Sequence, residues 1–208
     1  MKIVIPMLIA VAGLTAVHKA QAQDVEAVQL YSDAELVEMF ATNAHLKRVR
    51  DTDRCQLAQD IEAQAELERR PTYQFLYGDM MAWGVCYDRD HELGLLYMEK
   101  AAQHGLLEAL EQLGRYYHEG VLVQKDIDRA ILYLREAASL GNLPAQRRFA
   151  EILLADKGSP YDYEKAYHWL HNAITANQGT YQDIEQKLAK LAERMPPSVV
   201  EKAKRPLD

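Results

Sequence analysis

His168 and His171 lie three residues apart and fall on one face of a helix, a spacing at which two imidazoles could share a metal ion. No cysteine or carboxylate stands at a telling distance from them, so they read as surface or core residues and no metal is expected. The serines would offer acyl chemistry if a lysine followed three positions later. Ser32, Ser139, Ser159 and Ser198 are followed at that spacing by Glu35, Asn142, Asp162 and Glu201 instead. G-x-S-x-G, P-loop and H-E-x-x-H patterns are absent as well. The reading is of a protein that is not an enzyme and needs no cofactor, and it directs attention to binding by shape.

Cys55 and Cys86 depend on where the chain resides. Met1-Lys2 opens a short positive start, Ile3 to Val17 is almost wholly apolar, and Ala20-Gln21-Ala22 supplies small residues at a cleavage position. That is the layout of a secretory signal peptide. The alternative, an N-terminal anchor, is disfavoured because 15 apolar residues fall short of the roughly 20 that a spanning helix needs. The expected mature chain begins at Gln23, and no other window reaches membrane-spanning length. In an oxidising compartment Cys55 and Cys86 are expected to pair. Two buried reduced thiols are the other reading, and a catalytic thiol is a weaker third.

The 208 residues carry 24 Lys and Arg against 31 Asp and Glu, a net charge of −7. Phosphate contacts need a basic stripe, so no nucleic-acid partner is expected, nor docking on anionic lipid.

Elements must now be found to carry these residues. A period of 36 organises the middle of the chain. Tyr77-Gly78, Leu113-Gly114 and Phe149-Ala150 recur at that spacing. So do Asp90, Asp126 and Asp162; Tyr97, Tyr133 and Trp169; and Ala101, Ala137 and Ala173. Gly105 and Gly141, with Asn177 as a third member, are expected as left-handed helix C-caps. Each unit reads as two helices. In the second unit Leu110, Leu113, Tyr116 and Tyr117 lie at helical spacing before Gly120, and Asp126 can cap the next helix. One such pair cannot bury its own apolar face, so stacked copies must share a core, with the aromatic stripe inside it.

The flanks read as caps on that stack. Ser32-Asp33-Ala34-Glu35 is a capping box that starts a helix with Leu36, Met39 and Phe40 on its apolar side. A second helix is expected from about Asp53 to Arg69, and Thr180 and Asp183 open one that ends at Pro196-Pro197. Residues 201–208 read as a frayed tail. The expected organisation is a leader over 1–22, an N-terminal helical cap over 23–69, three repeats over 70–177, and a C-terminal cap and tail over 178–208. The fold class is all-α, a right-handed helix-pair solenoid. By analogy with related helix-pair repeats, its groove is expected to be lined by Phe75, Asp79, Glu111, Arg115, Arg147 and Glu151. Asp79, Arg115 and Glu151 alternate in sign at the 36-residue spacing, which suits a polar peptide or the edge of a partner domain; merely solvated charges are the alternative.

The 36-residue unit has a Leu-Gly-x-x-Tyr first helix, Gly and Asp in its linking loop, and a Tyr-x-x-x-Ala-Ala second helix ending in Gly. It resembles the Sel1-like repeat, a relative of the tetratricopeptide repeat. The second copy fits best, and the third departs at Ala150 and Asp156, where glycine is usual. Beyond the repeat, Tyr31-Ser32-Asp33-Ala34-Glu35-Leu36, Cys55-Gln56-Leu57, Phe75-Leu76-Tyr77-Gly78-Asp79-Met80 and Ala82-Trp83-Gly84-Val85-Cys86 resemble stretches of a family of flagellar motor proteins. So do Gly158-Ser159-Pro160 and Arg194-Met195-Pro196. That resemblance implies a periplasmic component of the polar flagellar motor. It would join MotY in the T ring around the basal body and help hold the PomA/PomB stator units. A general periplasmic adaptor of another envelope complex is the alternative.

Overall fold

Aspartate caps mark where the second helix of a unit begins. In the computed structural model, which describes residues 30–205, Asp90 accepts the Leu93 amide at 2.9 Å and Asp126 accepts the Arg129 amide at 3.0 Å. Each supplies an oxygen to an amide that the first helical turn cannot satisfy. The expected leader lies outside the described residues.

All regular structure among the described residues is helical. The central pairs are α4 (Pro71–Trp83) with α5 (His91–Gln103), α6 (Leu107–Glu119) with α7 (Ile127–Ser139), and α8 (Leu143–Leu154) with α9 (Tyr163–His171). Before them stand α1 (Asp33–Ala41), the single turn α2 (His45–Lys47) running into a π-helical turn over Arg48–Thr52, and α3 (Ala58–Glu66). After them come α10 (Gln178–Ala192) and α11 (Pro197–Ala203). The stacked pairs share one core that includes Tyr73, Leu76, Met80, Met98, Leu113, Tyr116, Leu134, Phe149 and Ile152, all essentially closed to water.

Gly94 shows how closely α4 and α5 meet. A β-carbon there would lie 2.6 Å from the Ala82 amide nitrogen and 2.6 Å from the Gly78 carbonyl oxygen. Neither backbone group can yield, so the crossing depends on the missing side chain. Of the aromatic stripe, Tyr97 is buried, while Tyr133 and Trp169 are half-buried against the core. Burial, with the Glu66 carboxylate at 2.7 Å, pushes the Tyr97 phenol up to about 12.

Several local expectations need correcting. Asn177 is not a left-handed C-cap like Gly105 and Gly141. Its φ is −82°, and its side chain caps α10 by accepting the Thr180 amide at 2.9 Å. Asp156 does adopt the left-handed conformation (φ 58°) of Gly120 and Gly84, one and two periods earlier, so the third loop keeps its shape without glycine. Asp162 does not repeat the caps of Asp90 and Asp126. It is buried and paired with Arg135 at 2.5 Å, at the end of a 3-10 turn that Ser159 opens. The helix expected from Asp53 begins only at Ala58, because Arg54 and Cys55 both take positive φ. Residues 201–203 are not frayed: they end α11, where the buried Ala203 offers its carbonyl to His168 Nδ1 at 2.8 Å.

Candidate functional site

The first helices α4, α6, α8 and α10 form the face on which the candidate groove residues stand. The register that aligns them comes from the 36-residue period, which returns each position to the same side of successive helix pairs.

At the start of that face the groove is already filled. Leu36 and Phe40, the apolar side of α1, must be covered by something, and α1 lies against α4 and α6. Phe40 meets Phe75 edge-on with ring centroids 4.6 Å apart, and His45 follows with Nε2 2.7 Å from Asp79 Oδ2. Both positions on α4 are therefore interior: Phe75 and Asp79 are each only 2% exposed. The expectation that these two line an open groove is overturned, because the N-terminal segment occupies their side of α4.

Asp79 also begins a buried polar chain. The Tyr116 hydroxyl donates to Asp79 Oδ1 at 3.4 Å, and it accepts from Trp83 Nε1 at 3.0 Å and from Gln112 Nε2 at 2.6 Å. Arg115 Nη2 then donates to Gln112 Oε1 at 2.5 Å. Burial raises the Tyr116 phenol well above its ordinary pKa, reinforced by the Asp79 charge. The hydroxyl thus stays protonated and acts as a link between the first and second repeats.

Further along, the charges pair with one another both within and across helices. Arg148 lies 3.6 Å from Glu111 and 2.7 Å from Glu119, and Arg115 approaches Glu119 at 3.7 Å. Burial pushes the Glu111 carboxyl up despite Arg148 and Arg115 nearby. Arg147 Nε meets Asp183 at 2.6 Å, and Lys187 approaches the same carboxylate. Burial pushes the Asp183 carboxyl up, but hydrogen bonds from Lys187 and Arg147 outweigh it and hold the group below its ordinary value. Glu151 is exposed and borders a cleft of about 470 Å³ between α8 and α10, with Leu154, Asp183, Lys187, Lys190 and Arg194 on its walls.

Sequence reasoning missed Arg148, Glu119, Asp183 and Lys187. For two of them a signal existed. Asp183 follows Arg147 by 36 residues and Lys187 follows Glu151 by 36, so the alternation of sign extends into α10. That alternation reads as a ladder between neighbouring repeats, visible in the Arg147–Asp183 pair.

The two cysteines form a disulfide, Cys55–Cys86, that ties the turn before α3 to the loop after α4. His168 is bound to the Ala203 carbonyl, and the His171 ring stacks on Tyr167 at 5.9 Å. No helix among the described residues is long and apolar enough to cross a membrane.

Stacked helix pairs with a first-helix face define a repeat protein of the Sel1 class, and the chain belongs to the Sel1 repeat family, which it matches over residues 71–106, 107–142 and 143–178. A crystal structure of a Sel1 repeat protein from Oxalobacter formigenes superposes with a TM-score of 0.53 at 20% identity, covering 62% of this chain and 97% of that one, and speaks for the fold alone. Within the family the chain is a homologue of the sodium-type polar flagellar protein MotX of Vibrio parahaemolyticus. The two are 53% identical over 188 residues, 90% of this chain and 89% of that protein. An uncharacterized protein of Neisseria meningitidis is 34% identical over 107 residues, which are 51% of this chain and 21% of that protein.

Proposed function

We propose that the protein is a structural, non-enzymatic adaptor of the polar flagellar motor. It acts in the periplasm as a component of the T ring at the basal body, where with MotY it helps anchor PomA/PomB stator units for torque generation. The observation that carries this reading is the 53% identity to MotX, which extends over 90% of the chain and so beyond the repeats shared by any Sel1 protein. Export through the leader at 1–22 is part of the reading. So is a division of labour in which the stator conducts ions and this chain supplies surface.

The contact surface proposed for MotY or for the periplasmic part of PomB is the rest of the first-helix face, at Arg115, Arg147 and Glu151, with the largely buried Glu111 beneath them. Phe75 and Asp79 act beneath it by holding the N-terminal segment in place. A deletion strain tests the function: it should build flagella that do not rotate. Normal swimming without the protein would defeat the proposal.

A further inference from the structure

The segment between α2 and α3 combines three features that ordinary loops lack. Its π-helical turn closes with the Asp53 amide on the Arg48 carbonyl at 3.1 Å, a rare i to i+5 bond. Two consecutive non-glycine residues, Arg54 and Cys55, then take left-handed backbone angles of φ 51° and 60°. Such conformations are costly and persist where the surroundings enforce them. Here both ends are clamped to the first repeat, by His45 on Asp79 and by the Cys55–Cys86 disulfide, while the buried Val49 pins the middle.

What this clamped turn presents is charge of the minority sign. Lys47, Arg48, Arg50 and Arg54 are all exposed, with only Asp51 and Asp53 among them. The eight residues 47–54 carry +2, whereas the rest of the chain, with 20 bases and 29 acids, carries −9. Arg48 leans on Asp53 at 3.2 Å and Arg50 on Asp51 at 2.8 Å, while Lys47 and Arg54 make no ion pair among the described residues. The six helically wound residues 47–52 span only about 9 Å. Lys47, Arg48 and Arg50 therefore lie within about one Debye length of one another at physiological salt, with Arg54 on the bend that follows.

We propose that the turn over residues 47–54 is a preformed docking surface for an acidic segment of a partner protein. Lys47 and Arg54 are left to meet incoming carboxylates, while Asp51 and Asp53, already paired with Arg50 and Arg48, make a discrete pattern rather than a uniform positive field. That pattern suits a peptide carrying spaced carboxylates better than a lipid surface. Strain held by two clamps lowers the ordering cost that a flexible basic loop would incur on binding. The surface lies outside the six groove positions, and the inference rests on the adaptor reading only in requiring a partner.

The test uses the full mature chain and a fluorescein-labelled glutamate–glycine peptide. A turn variant combines Lys47→Glu, Arg50→Glu and Arg54→Asn, the last keeping a residue that tolerates the left-handed backbone. A control variant, Lys125→Glu with Lys165→Glu and Lys157→Asn, changes net charge equally elsewhere. The wild type and the control should bind the peptide with affinity falling steeply between about 20 and 300 mM salt. The turn variant should bind at least ~10-fold more weakly, with unchanged thermal unfolding. The proposal is overturned if the wild type does not bind, if both variants weaken alike, or if vesicles with one-fifth phosphatidylglycerol are bound while the peptide is not. Because binding is read in solution, those outcomes leave the swimming test of the adaptor function standing on its own.

Discussion

His45 Nε2 sits 2.7 Å from Asp79 Oδ2 with both side chains closed to water, joining a residue of the N-terminal segment to the first helix of the first repeat. Removing His45 leaves Asp79 buried with only the long contact from the Tyr116 hydroxyl. His45→Ala is therefore expected to cost about 1–3 kcal/mol, measured as a shift in the urea midpoint. A loss below about 1 kcal/mol would mean that the pair is no more than a surface contact.

Loss of the disulfide acts mainly on the unfolded chain. The Cys55–Cys86 bond closes a loop with a sequence separation of 31. Cys55→Ser with Cys86→Ser should lower stability by roughly 3.7 kcal/mol in the chain-entropy estimate. Thermal unfolding of the oxidised wild type against the double variant reads the difference, and equal melting points would contradict it.

Gly94→Ala offers a steric test. The added carbon would meet the Ala82 amide and the Gly78 carbonyl at 2.6 Å, so α4 and α5 must separate. Overpacking of this kind costs about 1–3 kcal/mol. Alanine is the better helix former, so a stabilised variant would refute the close crossing.

Glu111 gives a pH dependence with a definite sign. Its folded pKa is raised by burial, so its ionisation opposes folding. The penalty is absent below the unfolded value near 4.5, and it grows as pH rises through the folded value. Glu111→Gln should then stabilise the protein at neutral pH, with the advantage fading toward pH 4. Denaturation at the two pH values checks the trend; an advantage greater in acid would reverse the assignment.

The period of 36 made the stack legible because each pair repeats the same burial problem, and the capping box at Ser32 announced α1 correctly. What α1 packs against was not legible. The contacts of Phe40 with Phe75 and of His45 with Asp79 join residues 34 or 35 apart outside the repeat register, and no periodicity encodes them. Asp79 and Glu151 occupy the same register two periods apart, which is why an interior carboxylate and an exposed one look alike in sequence. The late start of α3 was hidden for a different reason. Cys55 has ordinary helical neighbours in sequence, and its left-handed backbone belongs to the clamped turn rather than to local preference.

The two ends of this stack differ in how they are fastened. A chain of repeats held only by nearest neighbours opens from whichever terminus is weaker. Here one terminus is bolted across by a covalent bond and a buried arm, whereas α11 rests on α9 through a single short helix. The molecule therefore has a hard end and a soft end. It should come apart directionally, the last pair first and the first repeat last, so that a pull on the soft end would be met by stepwise yielding rather than by collapse of the whole.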